Sequence, residues 1–246
     1  MKEPREELDW FGHRLEKVFV VGVGGNRIPC NCIWPKDLSN PVPWILTTHG
    51  ATSSKHEWTE IDGFTKGGNI TRELVASGIA VVAMDLRYHG DNDTERVPGL
   101  NIFEAENWER FFEESVQDIY DVIAHFATEP VLDPARMGYA GYSMAGIFGF
   151  WLGNQGAPFK AMALCVPGVG RGKSTVHSTF NNLDNVSGIP ILQVSAENDE
   201  YVPFEEAKWL FEQIPAGDKK LLSFPSGHSL PSGYVPEYVH WMLSKL

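Results

Sequence analysis

Short apolar runs recur along the chain, separated by segments in which apolar residues return every three or four positions. "RLEKVFVVGV" and "RIPCNCIWP" read as an opening pair of strands joined through the turn residues "GGN". "VPWILTTHG", "IAVVAMDLR", "RMGYAGYS", "KAMALCVPG", "IPILQVSAEND" and "KKLLSFPSGH" follow. Several of these are apolar throughout, as strands covered on both faces must be. Phe112 to Ala127 carries Val116, Ile119, Tyr120, Ile123 and Phe126 at helical spacing, which predicts an amphipathic helix. "NITRELVAS", "MAGIFGFWLG", "VPFEEAKWLFEQI" and "YVPEYVHWMLSKL" predict further helices, with Pro203 and Pro236 near helix starts, where a missing N–H costs nothing. Alternating strands and helices predict a mostly parallel sheet with helices on both faces, entered through an antiparallel pair. Asp91 to Arg110 and Pro167 to Gly188 are left as long connections that follow the carboxyl ends of strands, the edge where open α/β sheets bind ligands.

Composition narrows the class. The 246 residues are 43% hydrophobic and 21% charged, which suits one globular domain spanning 1–246 with a sizeable core. A net charge of −12 opposes a nucleic-acid partner, because such binding rests on Lys and Arg neutralising phosphates. The opening "MKEPREELDWFGHRLEK" lacks an apolar signal-peptide core, and no stretch approaches the roughly 20 apolar residues of a membrane helix. The expectation is a cytoplasmic protein without a membrane partner. Cys30, Cys32 and Cys165 read as small half-buried thiols, since no further Cys or His stands at metal-ligand spacing.

"GYAGYSMAG" carries the chemistry. "RMGYAG" is strand-like and "MAGIFGFWL" helix-like, so Ser143 falls where a strand turns sharply into a helix. That strained turn is tolerable only if the residues two before and two after are small, and Gly141 and Ala145 occupy those places. The helix N-terminus brings partial positive charge and N–H groups to the spot where an oxyanion would form. A serine is a poor nucleophile without a base and an acid to orient that base, and in such sheets the partners arrive from later strand ends. "ILQVSAENDEYVP" supplies Asp199 beyond one strand and "LLSFPSGHSLP" supplies His228 beyond the next.

In this order of motifs the chain resembles the α/β-hydrolase superfamily, and in particular its small members similar to dienelactone hydrolases, feruloyl/cinnamoyl-type esterases and prolyl-oligopeptidase-like catalytic domains. The likeness runs from about Val42 through "LTTHGATSS", "LVASGIAVVAMDLRYHGDN", "LDPARMGYAGYSMAG", "SAENDEYVP" and "SGH". It implies an α/β-hydrolase fold, here with an eight-stranded sheet and a minimal lid. It also implies Ser143 as nucleophile, His228 as general base and then acid, and Asp199, rather than Glu197 or Glu200, as the orienting carboxylate. Met144 and Ala51 would give the oxyanion-hole amides. Ala145 departs from the family's glycine two residues after the serine, and Tyr88 from the glycine common in "DLRYHG".

Around this constellation, His49 and His89 read as shapers of the oxyanion turn, and His125 as a surface or boundary residue. Asp85 and Arg87 read as a structural ion pair rather than a substrate clamp. Lys55 and His56 fit a solvated loop as well as an anion contact. Trp58, Trp108 and Phe111, with Phe103 and Phe112, are candidates to line an apolar substrate pocket or to close the core. The expectation is a serine carboxylic ester hydrolase for small or medium soluble esters, needing no metal or organic cofactor and working as a monomer or homodimer. The same triad also serves thioesterases, lactonases and peptidases, and the same fold serves slow, receptor-like ligand binders.

Overall fold

The computed structural model describes residues 6–92, 102, 104–169 and 176–246. Among these residues, nine strands form one sheet: β1 (Glu6–Trp10), β2 (His13–Val21), β3 (Arg27–Trp34), β4 (Val42–Thr48), β5 (Ala80–Met84), β6 (Leu132–Tyr142), β7 (Ala161–Cys165), β8 (Ile191–Ala196) and β9 (Lys219–Phe224). Their order is β1-β2-β3-β5-β4-β6-β7-β8-β9; the pairs as far as β3–β5 are antiparallel and those from β5 to β9 parallel. The fold is thus of α/β-hydrolase type, with nine strands rather than the expected eight. The strand missed in the sequence is β1. Its side chains are exposed or half-buried, so no alternation of apolar and polar residues marks it. It is held instead by a two-residue turn, Phe11 and Gly12, both at positive φ (52° and 75°), which matches the twist of a tight hairpin.

Among the described residues, five helices cover the sheet: α1 (Gly67–Ala76), α2 (Ala105–Phe126), α3 (Met144–Asn154), α4 (Phe204–Gln213) and α5 (Val235–Lys245). Alternate residues of the central strands serve the two faces. Trp44, Leu46, Val82 and Met84 pack with α2, α3 and α4, whereas Ile45, Val81 and Ala83 pack with α1 and α5. The predicted helix at Phe112 begins earlier, at Ala105, because its buried stripe runs back through Phe111 and Trp108. This shortens the expected connection from Asp91 to Arg110. Helix α3 is apolar on nearly every side and stacks Phe148 on Phe112 of α2 at 4.3 Å. No helix among the described residues is long and apolar enough to cross a membrane.

The loops at the carboxyl edge of the sheet are tied down by buried charge. Lys55, in the 3₁₀ turn Lys55–Trp58, is 1% exposed, so it is no solvated loop residue. Its Nζ donates to Asp85 Oδ2 and Asp91 Oδ2, both at 2.6 Å, and its amide donates to Asp85 Oδ1 at 2.7 Å. Arg87 pairs with Asp118 of α2, Nη2 to Oδ1 at 2.9 Å. Asp85 and Arg87 are therefore both structural, but with separate partners rather than with each other. Replacing one member of a buried pair leaves the other charge uncompensated. Lys55→Met should lower the unfolding free energy by about 3–5 kcal/mol in urea titrations; a loss below about 1 kcal/mol, the range of exposed pairs, would contradict this role.

Candidate active site

Ser143 closes β6 and caps α3 with φ 56° and ψ −114°, outside the ordinary regions for a residue with a side chain. The turn is pinned on both sides: the Ser143 amide donates to Cys165 O at 2.8 Å, and its carbonyl accepts from Gly146 at 2.9 Å and Gly168 at 3.1 Å. Gly141 is required here, since a Cβ on it would lie 2.8 Å from Ala145 O and 2.9 Å from Ala145 Cβ. The methyl of Ala145 fits because position 141 has none.

His228, beyond β9, and Asp199, beyond β8, meet at the same edge. The imidazole Nδ1 stands 2.8 Å from Asp199 Oδ2 and 3.0 Å from Oδ1. Asp199 Oδ1 also accepts the amides of Tyr201 and Val202, both at 2.9 Å. Burial pushes the Asp199 carboxyl up, but the bonds from His228 and these two amides outweigh it and hold the group below its usual value. The rivals have other work: Glu200 Oε2 accepts the His228 amide at 2.8 Å, and Glu197 Oε1 accepts the Ser223 hydroxyl at 2.8 Å. Tyr142, next to Ser143, anchors the histidine loop, its hydroxyl donating to His228 O and accepting the Leu230 amide. Nothing in the sequence marked this tyrosine, because its partners lie on a loop 86 residues away.

Ser143, His228, Ala51 and Met144 all line one cleft of about 920 Å³. The turn that carries Ala51 is shaped by two histidines. Leu86 donates its amide to His49 Nε2 at 3.0 Å, so His49 Nδ1–H donates to Gly50 O at 2.8 Å. Burial pushes the His49 imidazole down to about 3, which keeps it neutral. His89 sets Nε2 2.7 Å from Ala51 O and Nδ1 2.7 Å from Arg87 O. Tyr88, where the family's glycine was expected, takes a positive φ of 62° and donates its hydroxyl to Glu114 at 2.6 Å.

Of the aromatic candidates, Trp108 lines the cleft. Trp58 does not: it lies in the core shared with α1 and α5 and donates Nε1 to Thr48 O at 3.0 Å. Phe111 is likewise a fully buried core residue, packed between His89 and Phe148. Phe112 stacks under His177, and Phe103 lies outside the described residues. Sequence reading missed Phe64 and Tyr201, exposed rings that flank His228 at the cleft mouth. It also missed Glu57 and His177 in the cleft wall.

None of the curated proteins matches the chain in sequence. Solved structures match its fold along nearly its whole length. A cold-adapted esterase from an Arctic intertidal metagenomic library superposes with a TM-score of 0.76 at 19% identity, covering 100% of both chains. Acetyl xylan esterase 1 from Thermoanaerobacterium sp. JW/SL YS485 gives 0.77 at 18% identity, over 98% of this chain and 87% of that one. An acetyl xylan esterase from Paenibacillus sp. R4 gives 0.75 at 15% identity, over 99% and 88%. At such identities the likeness is one of fold. The family is given by a sequence model, that of the dienelactone hydrolase family, which matches residues 56–234. That span contains the elbow serine and the paired histidine and aspartate, and the chain belongs to the dienelactone hydrolase family.

Proposed function

We propose that the protein hydrolyses carboxylic esters through an acyl-enzyme formed on Ser143. The class, a carboxylic ester hydrolase, follows from the family; the mechanism rests on the site. The observation that carries it is the bidentate approach of Asp199 to His228 Nδ1 in the cleft that also exposes Ser143. With Nδ1–H directed at the carboxylate, Nε2 is left as the basic nitrogen. It takes the hydroxyl proton of Ser143 as the oxygen attacks the ester carbonyl, and the Ala51 and Met144 amides receive the oxyanion. The imidazolium then protonates the leaving alcohol. Water, deprotonated by the same nitrogen, attacks the acyl-enzyme, and collapse of the second tetrahedral intermediate returns Ser143 and releases the acid.

The wide cleft, walled by apolar residues around Trp108 and Ile147, supports small or medium soluble esters. Several of the structural neighbours carry the name esterase, and that agrees with this reading.

Two experiments test it. A fluorophosphonate probe should label the protein at Ser143, and Ser143→Ala should lose both the label and several orders of magnitude in turnover of short p-nitrophenyl esters. Turnover that survives the substitution would reduce the elbow to a turn. Asp199→Asn should keep the fold and lower kcat by about 10³–10⁴, because the amide holds the wrong tautomer of His228; Glu200→Gln should not reproduce that loss.

A further inference from the structure

His228 fixes where the departing half of an ester must lie. As the tetrahedral intermediate collapses, the carbon–oxygen bond to the alcohol breaks and the imidazolium gives its Nε2 proton to that oxygen, which releases neutral alcohol and restores the base. A proton passes only over hydrogen-bond distance, so the alcohol half stands beside the imidazole. Two rings are there. Phe64 lies 6.4 Å from the His228 ring at an interplanar angle of 44°, and Tyr201 lies 5.0 Å from it at 78°. Both line the cleft that holds Ser143.

Neither ring is a core residue. Phe64 is 59% exposed and Tyr201 74%, so each keeps apolar surface in water that burial against a partner would stabilise. Their backbones, by contrast, are tied to the histidine and its carboxylate. Phe64 O accepts the hydroxyl of Ser229, the neighbour of His228, at 2.9 Å, and the next carbonyl, Thr65 O, accepts the Tyr234 hydroxyl. The Tyr201 amide donates to Asp199 Oδ1 at 2.9 Å. One ring is thus mounted on the loop before α1 and the other on the loop after β8, each held in place relative to the imidazole. Trp108, which also lines the cleft, belongs instead to α2 and packs on Phe111 and Phe112.

The geometry points to an alcohol subsite formed by Phe64 and Tyr201, which selects esters whose alcohol carries a flat apolar ring. This deepens the reading above and rests on Ser143 as nucleophile and His228 as proton donor. A flat ring entering beside the imidazole covers exposed surface of both side chains, and aromatic contact adds to the gain from burial. A short alkyl alcohol covers little of either. The acyl half is left to the wall around Trp108 and Ile147.

Benzyl acetate and ethyl acetate test the subsite. They form the same acetyl-enzyme, so deacylation is common to both and the ratio of their kcat/KM values isolates the alcohol half. Wild type should favour benzyl acetate by about tenfold or more. Phe64→Ala and Tyr201→Ala should each lower the ratio by about three- to tenfold, chiefly through a higher KM for the benzyl ester. Phe64→Tyr and Tyr201→Phe keep the rings and should hold it. The backbone bonds to Ser229 and Asp199 persist in every variant, and circular dichroism checks folding. Rings that only shield His228 from water would, on removal, slow both esters alike. Such a uniform loss, a wild-type ratio near one, or a ratio unmoved in both alanine variants would overturn the proposal. Fluorophosphonate labelling separates the two readings: without a label on Ser143 the nucleophile assignment fails, and with it an unmoved ratio sinks only the subsite.

Discussion

The site is organised by the backbone of one residue. Ser143 must turn the chain from the end of a central parallel strand into a helix within a single peptide step, and it does so at φ 56°. Such a conformation costs roughly 1–3 kcal/mol and persists only where the surroundings over-determine it. Here they do: the amide and carbonyl of Ser143 are both bonded, and α3 is buried along nearly its whole length. Close packing of the elbow also demands glycine at specific points. A Cβ on Gly146 would meet Pro167 Cβ at 2.4 Å, as one on Gly141 would meet the Ala145 carbonyl. The strain places the hydroxyl at the head of the helix, where unpaired amides concentrate.

What surrounds the serine is held by polar contacts that cross the sheet edge, not by the cores alone. Tyr142 ties the histidine loop to the strand that ends at Ser143. His49 and His89 hold the Ala51 turn against the loop after β5. Lys55 joins that turn to Asp85 and Asp91. Tyr142, His49, His89, Lys55 and Asp85 are all buried, and a buried polar group without its partner costs about 1–3 kcal/mol, so the loops have few alternative positions. Rigidity at this edge is what a preorganised oxyanion site needs, since its donors must stand in place before charge develops.

Most of the architecture was legible along the chain because period and punctuation are local properties. Apolar runs of five to nine residues mark strands buried on two faces, and the stripe through Val116, Ile119 and Phe126 marks α2. The serine, aspartate and histidine could be read because each follows a recognisable strand and the order of motifs is itself informative. β1 could not be read, since a solvated edge strand leaves no pattern of burial.

The sequence by itself determined the class of fold, the elbow and the residues able to do chemistry there. Tertiary structure decided which way each remaining side chain faces. Trp58 and Trp108 are equivalent as letters, yet one is a core residue and the other a wall of the cleft. Lys55 looks like a loop lysine until Asp85, thirty residues on, is brought within 2.6 Å. Glu57 is unremarked in a polar segment, yet it is buried in the cleft wall, where burial pushes its carboxyl up to about 8. Periodicity records how far a residue is from water on its own element. Partners from other elements are set by how the sheet and helices pack, and no local pattern carries them.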